Sequence, residues 1–175
     1  MRASLLAAAV LAGSIAPAAA FAAERMISFE PASPDAKRLT GAGITVRFTD
    51  RLLGQRVDSL LATAIPARAN LKPAAVKDLG GLTVARPGVL YAVDEKSAQG
   101  AVYVRAFCPG SKRVWLAIGP VGRAPLTIQA LGDDPKGGRT ARLCATMEFS
   151  FKGEWSLPPR TPPDPMEETR DLEPN

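Results

Sequence analysis

A mainly β fold is predicted for this chain: about eight antiparallel strands in a sandwich or a partly open barrel, with one amphipathic helix packed on the sheet. Three observations predict it. Runs in which Val, Ile, Tyr, Phe and Trp alternate at period two recur along the sequence. The breaks between them are rich in Gly, Pro and Asp, which set turn dihedrals or tolerate positive φ. Cys108 and Cys144, the two cysteines of the chain, lie within the densest group of runs, where a bridge would staple a small sheet.

The first element is a leader. Arg2 precedes an apolar run over 5–15, and Ala20 and Ala22 stand at small-residue cleavage positions, so residues 1–22 read as a secretory signal peptide. The apolar run is too short to span a bilayer, which needs about 20 residues. Residues 23–156 read as one β-rich domain, long enough to bury a core. Residues 157–175 combine prolines with acidic side chains and are predicted to be a disordered Pro-rich tail, because they bury too little to offset the entropy of ordering.

Within the domain, Ile27 and Phe29 mark a short strand, 31–43 reads as a loop, and Ile44, Val46 and Phe48 mark a second strand. Leu52, Leu53, Val57, Leu60, Leu61 and Ala64 then recur at steps of three and four, which predicts the amphipathic helix over 50–65, stopped by Pro66. Residues 73–79 read as a helical turn closed by Gly80 and Gly81, and Pro87-Gly88 as a hairpin turn between the apolar runs at 82–84 and 89–93. A polar loop is expected over 94–100.

The stretch 101–151 organises the rest. Alternation over 101–107 and 112–118 predicts a hairpin around Pro109-Gly110, apolar on both faces and so covered on both sides. A weaker run at 125–131 and a long one at 139–151 complete a meander. On the last strand Ala141, Leu143, Ala145, Met147, Phe149 and Phe151 share one face, which sends Cys144 to the other. A structural disulfide between Cys108 and Cys144 closes a loop whose chain entropy contributes roughly 3 to 4 kcal/mol. Such a bridge places the protein outside the cytoplasm: periplasmic if the host has two membranes, secreted otherwise.

Charge is unevenly distributed. Residues 24–156 carry 19 basic and 12 acidic side chains, and the tail carries two basic and five acidic ones. Arg105, Lys112, Arg113, Arg123, Lys136, Arg139 and Arg142 are the candidate anion-binding residues, suited to an anionic envelope component. Arg105 interrupts an apolar strand pattern, which suits an edge strand. Nucleic acid is not the expected partner, because neither interleaved aromatics nor a basic helix accompanies the charge.

The chain has no histidine. It therefore lacks the commonest general base and the usual metal ligand, and no catalytic residue, metal site or cofactor motif is assigned. Carboxylate pairs remain for a glycan hydrolase, and Asp94-Glu95 and Asp133-Asp134 are the pairs available. Turn chemistry accounts for both. The reading the sequence favours is an exported, non-catalytic binding or envelope-associated module, with a protein as the other class of partner; a carboxylate-based hydrolase is the alternative.

Overall fold

The computed structural model describes residues 24–51, 54–82, 88–138 and 140–156. The expected signal peptide, the acidic tail and Arg139 lie outside them. Eight antiparallel strands close into one barrel: β1 Glu24–Pro31, β2 Ile44–Arg51, β3 Gly54–Ala62, β4 Arg68–Pro73, β5 Val89–Val93, β6 Val114–Ile118, β7 Leu126–Gly132 and β8 Arg142–Ser156. Each strand pairs with its successor, and β8 returns to β1. Closure leaves no sheet edge at either end of the strand order. The helices α1 (Pro34–Thr40) and α2 (Ala98–Phe107) sit in the β1–β2 and β5–β6 connections. Neither is long and apolar enough to cross a membrane.

The interior is solid. Ile27, Phe29, Ile44, Val46, Phe48, Leu60, Leu116, Ile128, Met147 and Phe149 belong to one buried cluster, each nearly inaccessible. This fits an eight-stranded barrel, whose lumen side chains can fill. All five residues of β6 are buried. Val114, Leu116 and Ile118 face the lumen, while Trp115 and Ala117 join an outer cluster with Leu79, Leu90, Leu131 and Ala141. The expected cover on both faces of this strand is therefore present, but the outer cover comes from the turn at Val76–Leu79.

Three expectations are corrected. The helix predicted over 50–65 is the end of β2 and the strand β3, apart from 52–53, which are not described. A bulge explains the misreading. Phe48 pairs with Val57 but Arg47 pairs with Ser59, so Asp58 is an extra residue. The inward sequence becomes Val57, Leu60, Ala62, and its first step of three imitates a helix.

The strand predicted over 101–107 is α2, and the loop expected over 94–100 contains its start. Ser97 caps it by accepting from the Gly100 amide at 3.0 Å. Gly100, Tyr103, Val104 and Phe107 form its buried stripe at helical spacing. Gly100 is required there, because a Cβ would run into the Asp94 carbonyl. Arg105 accordingly stands exposed on a helix rather than on an edge strand.

The loop expected over 31–43 contains α1, capped by Ser33 with Pro34 in its first turn. The run 89–93 pairs with β4 and β6; of its expected hairpin partner at 82–84 only Leu82 is among the described residues, and Pro87 of the expected turn lies outside them.

On β8 a second bulge pairs Ala130 with Ala145 and Leu131 with Leu143, leaving Cys144 as the extra residue. Ala145, Met147 and Phe149 point inward as expected, but Leu143 is 49% exposed because the bulge reverses the phase. Cys144 at this bulge meets Cys108, the residue that ends α2, with their Cα atoms 5.3 Å apart in the disulfide. The bridge thus ties the capping helix to a strand of the barrel.

The seam along β4 is the short one. Three residue pairs join it to β3 and three to β5. One register step beyond Leu61 and Arg68, the Tyr103 hydroxyl stands between the strands, accepting from the Ala62 amide and donating to the Ala67 carbonyl, both at 2.8 Å. Farther along β3, the Tyr91 hydroxyl accepts from the Val57 amide at 3.1 Å. Two phenols therefore supply ladder bonds that the short strand leaves open.

Candidate functional site

The barrel has two unlike ends. Connections carrying α1 and α2, the β3–β4 turn and the β7–β8 loop lie at one; the β2–β3 and β6–β7 connections and the start of β1 lie at the other.

At the helix-capped end, Tyr103 and Phe107 pack edge to face, with ring centroids 5.3 Å apart, and join the lumen cluster. The residues after α2 fold against the β7–β8 loop. Asp133 accepts from the Lys112 and Arg113 amides at 2.8 and 2.9 Å, and the Ser111 hydroxyl donates to the Asp133 carbonyl at 2.8 Å. Asp134 accepts from the Lys136 and Gly138 amides. Arg142 reaches across to donate to the Pro109 carbonyl at 2.5 Å. Arg113 lies over the Trp115 ring, 5.2 Å from its centroid.

These bonds bring Lys112, Arg113, Lys136 and Arg142 to one rim. All four are exposed, and Arg105 stands exposed on the helix that caps the same end. Arg123 is separated from them in the β6–β7 connection at the opposite end. The rim carboxylates Asp133 and Asp134 accept from turn amides, Asp133 Oδ2 also pairs with Arg113 Nε at 3.8 Å, and Asp94 pairs with Lys72 at 3.1 Å. No group of three or more Cys, Asp or Glu side chains among the described residues is arranged to hold a metal ion.

At the open mouth a polar layer completes the inward-facing rows. Arg25 is in phase with Ile27 and Phe29 on β1, Asp50 with Phe48 on β2, and Gln55 with Val57 on β3. Glu154 reaches the same phase because β8 bulges: Phe151 pairs with Phe29 but Gly153 pairs with Ser28, which places Glu154 opposite Ile27.

Arg25 organises the layer. Its Nε donates to Glu154 Oε1 at 2.9 Å, its Nη2 bonds the same oxygen, and its Nη1 donates to Asp50 Oδ2 at 2.7 Å. Its guanidinium lies 5.2 Å from the Phe48 ring centroid. Gln55 donates to Asp50 Oδ1 at 3.3 Å, and Arg123 Nε approaches Glu154 Oε2 at 3.4 Å. The hydrogen bond from Arg25 holds the Glu154 carboxyl below the usual carboxylate range, and its bond to Asp50 holds Arg25 still more firmly protonated. A cleft of about 520 Å³ opens between this layer and the Val121–Gly122 backbone.

Sequence reasoning missed this layer. For Arg25 and Asp50 a signal existed, since each continues the apolar phase of its strand with a charge at the strand's end. Glu154 was concealed by the bulge at 151–153 and Gln55 by the misread strand. No protein-family model matches the chain, and no curated protein or solved structure proves significantly similar to it.

Proposed function

We propose that this protein is an exported, non-catalytic binding module whose helix-capped end docks on an anionic envelope component. The observation that supports this reading is the gathering of Lys112, Arg113, Lys136 and Arg142 at one rim beside Arg105, where they outnumber the two nearest carboxylates, Asp133, which pairs with Arg113, and Asp134. Exposed cations of one sign on a rigid end attract a polyanion over a range set by the Debye length, about 10 Å at moderate salt.

Export is part of the proposal. The leader-like segment at 1–22 and the Cys108–Cys144 disulfide support it, because such bridges persist in oxidising compartments. The periplasm or the exterior is the corresponding location. A glycan hydrolase is the weaker reading. It needs one carboxyl held protonated near neutral pH, and Glu154 is shifted the opposite way.

Cosedimentation with phosphatidylglycerol vesicles and retention on heparin test the proposal. The triple variant Arg105→Glu, Lys112→Glu, Lys136→Glu should bind about tenfold more weakly or worse at low salt. Lys152→Glu, on the outer face of β8 toward the mouth, should leave binding close to that of the parent. Binding that survives high salt, or an equal loss in the two variants, contradicts a docking rim.

A further inference from the structure

The disulfide beside the basic rim has two unlike sulfurs. We propose that Cys144 is a modification site, the sulfur at which a small acidic thiol opens the bridge, with Cys108 as the leaving group. The inference does not depend on the envelope reading, although it draws on the same cations.

Access sets the direction. Cys108 is fully buried where α2 ends, packed so closely on Gly132 that a Cβ there would run into its sulfur. Cys144 is the extra residue of the β8 bulge and is partly exposed. Exchange proceeds by direct attack of a thiolate on one sulfur of a disulfide, so in the folded barrel the attack falls on Cys144. A bond forms between the incoming sulfur and Cys144 Sγ, the bond between the two cysteines breaks, and its electron pair leaves on Cys108 Sγ. With the two Cα atoms 5.3 Å apart, the released Cys108 recloses the bridge unless it is trapped.

The leaving sulfur has donors at hand. The Ser111 hydroxyl lies 3.2 Å from Cys108 Sγ, and its proton, given to the Asp133 carbonyl at 2.8 Å while the bridge is closed, can turn to the stronger acceptor that a thiolate presents. Arg142 Nη2 stands 3.5 Å from the same hydroxyl oxygen. Together they oppose the carbonyl end of α2, which disfavours negative charge at Cys108.

Charge narrows the class of thiol. Lys112, Arg113, Lys136 and Arg142 outnumber Asp133 and Asp134 at this rim, so a thiol that carries carboxylates is drawn to it and one without them is not.

Reduced glutathione is a suitable probe, incubated with the full-length protein at low salt. The reaction is quenched in acid, the protein unfolded and alkylated with N-ethylmaleimide, and the peptides mapped by mass spectrometry. Glutathione is expected on Cys144 and maleimide on Cys108, while the amide spectrum before quenching remains that of a folded barrel. Glutathione diethyl ester, the same thiol stripped of its carboxylate charge, should react severalfold more slowly per thiolate. Raising the salt should close that gap, as should the double variant Lys112→Glu, Lys136→Glu. Glutathione on Cys108, equal labelling of the two cysteines, no adduct short of unfolding, or equal rates for the two thiols at low salt would each overturn the proposal.

Discussion

At the helix-capped end, Tyr103 and Phe107 of α2 fill the barrel and the cations stand outside it; at the mouth, Arg25, Asp50, Gln55 and Glu154 themselves complete the inward rows. The first end is closed by apolar burial, two hydroxyl-mediated ladder bonds and a covalent bridge. The second is closed by an ion-pair layer that faces water. An arginine held by two carboxylates and a ring is fixed in place, whereas at the rim Lys112, Arg113, Lys136 and Arg142 outnumber Asp133 and Asp134 and leave a surplus of exposed positive charge. The same residue type therefore braces the mouth and supplies a free field at the cap.

The comparison predicts a graded series of effects, beginning at the cap. Replacing Cys108 and Cys144 by Ser should cost roughly 3 to 4 kcal/mol in urea unfolding, from the entropy restored to the unfolded chain. It should also speed amide exchange in α2 more than in β2. Equal acceleration in both would mean that the bridge does not serve the cap in particular.

Tyr103→Phe comes next. It leaves the Ala62 amide and the Ala67 carbonyl without the hydroxyl that joins them, at a cost of about 1 to 3 kcal/mol. Tyr91→Phe orphans one amide, that of Val57, and should cost less. The reverse order would remove the special role given to the cap.

Alkaline titration sharpens the same point. Burial pushes the Tyr103 phenol above its ordinary range, so its contribution is complete below the ordinary phenol range and is lost as pH rises through the raised value. Tyr103→Phe should flatten that part of the stability profile.

The smallest effect belongs to the mouth. Because the Glu154 carboxyl titrates below the ordinary range when folded, its contribution is complete above that range and disappears as pH falls through the depressed value. Glu154→Gln should flatten the acid limb slightly, as expected for a partly exposed pair. A loss rivalling that of the disulfide would show that the mouth, and not the cap, holds the barrel shut.

Much of the barrel was legible where strands keep strict alternation. β2, β6 and β7 were readable because their lumen residues recur every second position. β3 was not, since the extra Asp58 turns one step of two into three. The phase change at Cys144 is likewise invisible without knowing that Leu131 pairs with Leu143. α2 was hidden by composition: Val102, Tyr103, Val104 and Phe107 favour strands, and their packing over the barrel end overrides that preference. Its start was readable in Ser97, as α1 was in Ser33 and Pro34. β4 carries too few residues for any periodicity to register. The basic residues were legible as a set, but their separation into a rim and a lone Arg123 depends on which connections share an end.

The most direct test of the division between the two ends is a map of amide shifts on titrating a short heparin oligosaccharide. The account predicts perturbations gathered over 105–113 and 133–142, fading as salt is raised. Perturbations centred on Arg25, Val121 and Glu154, with the cap unmoved, would contradict it.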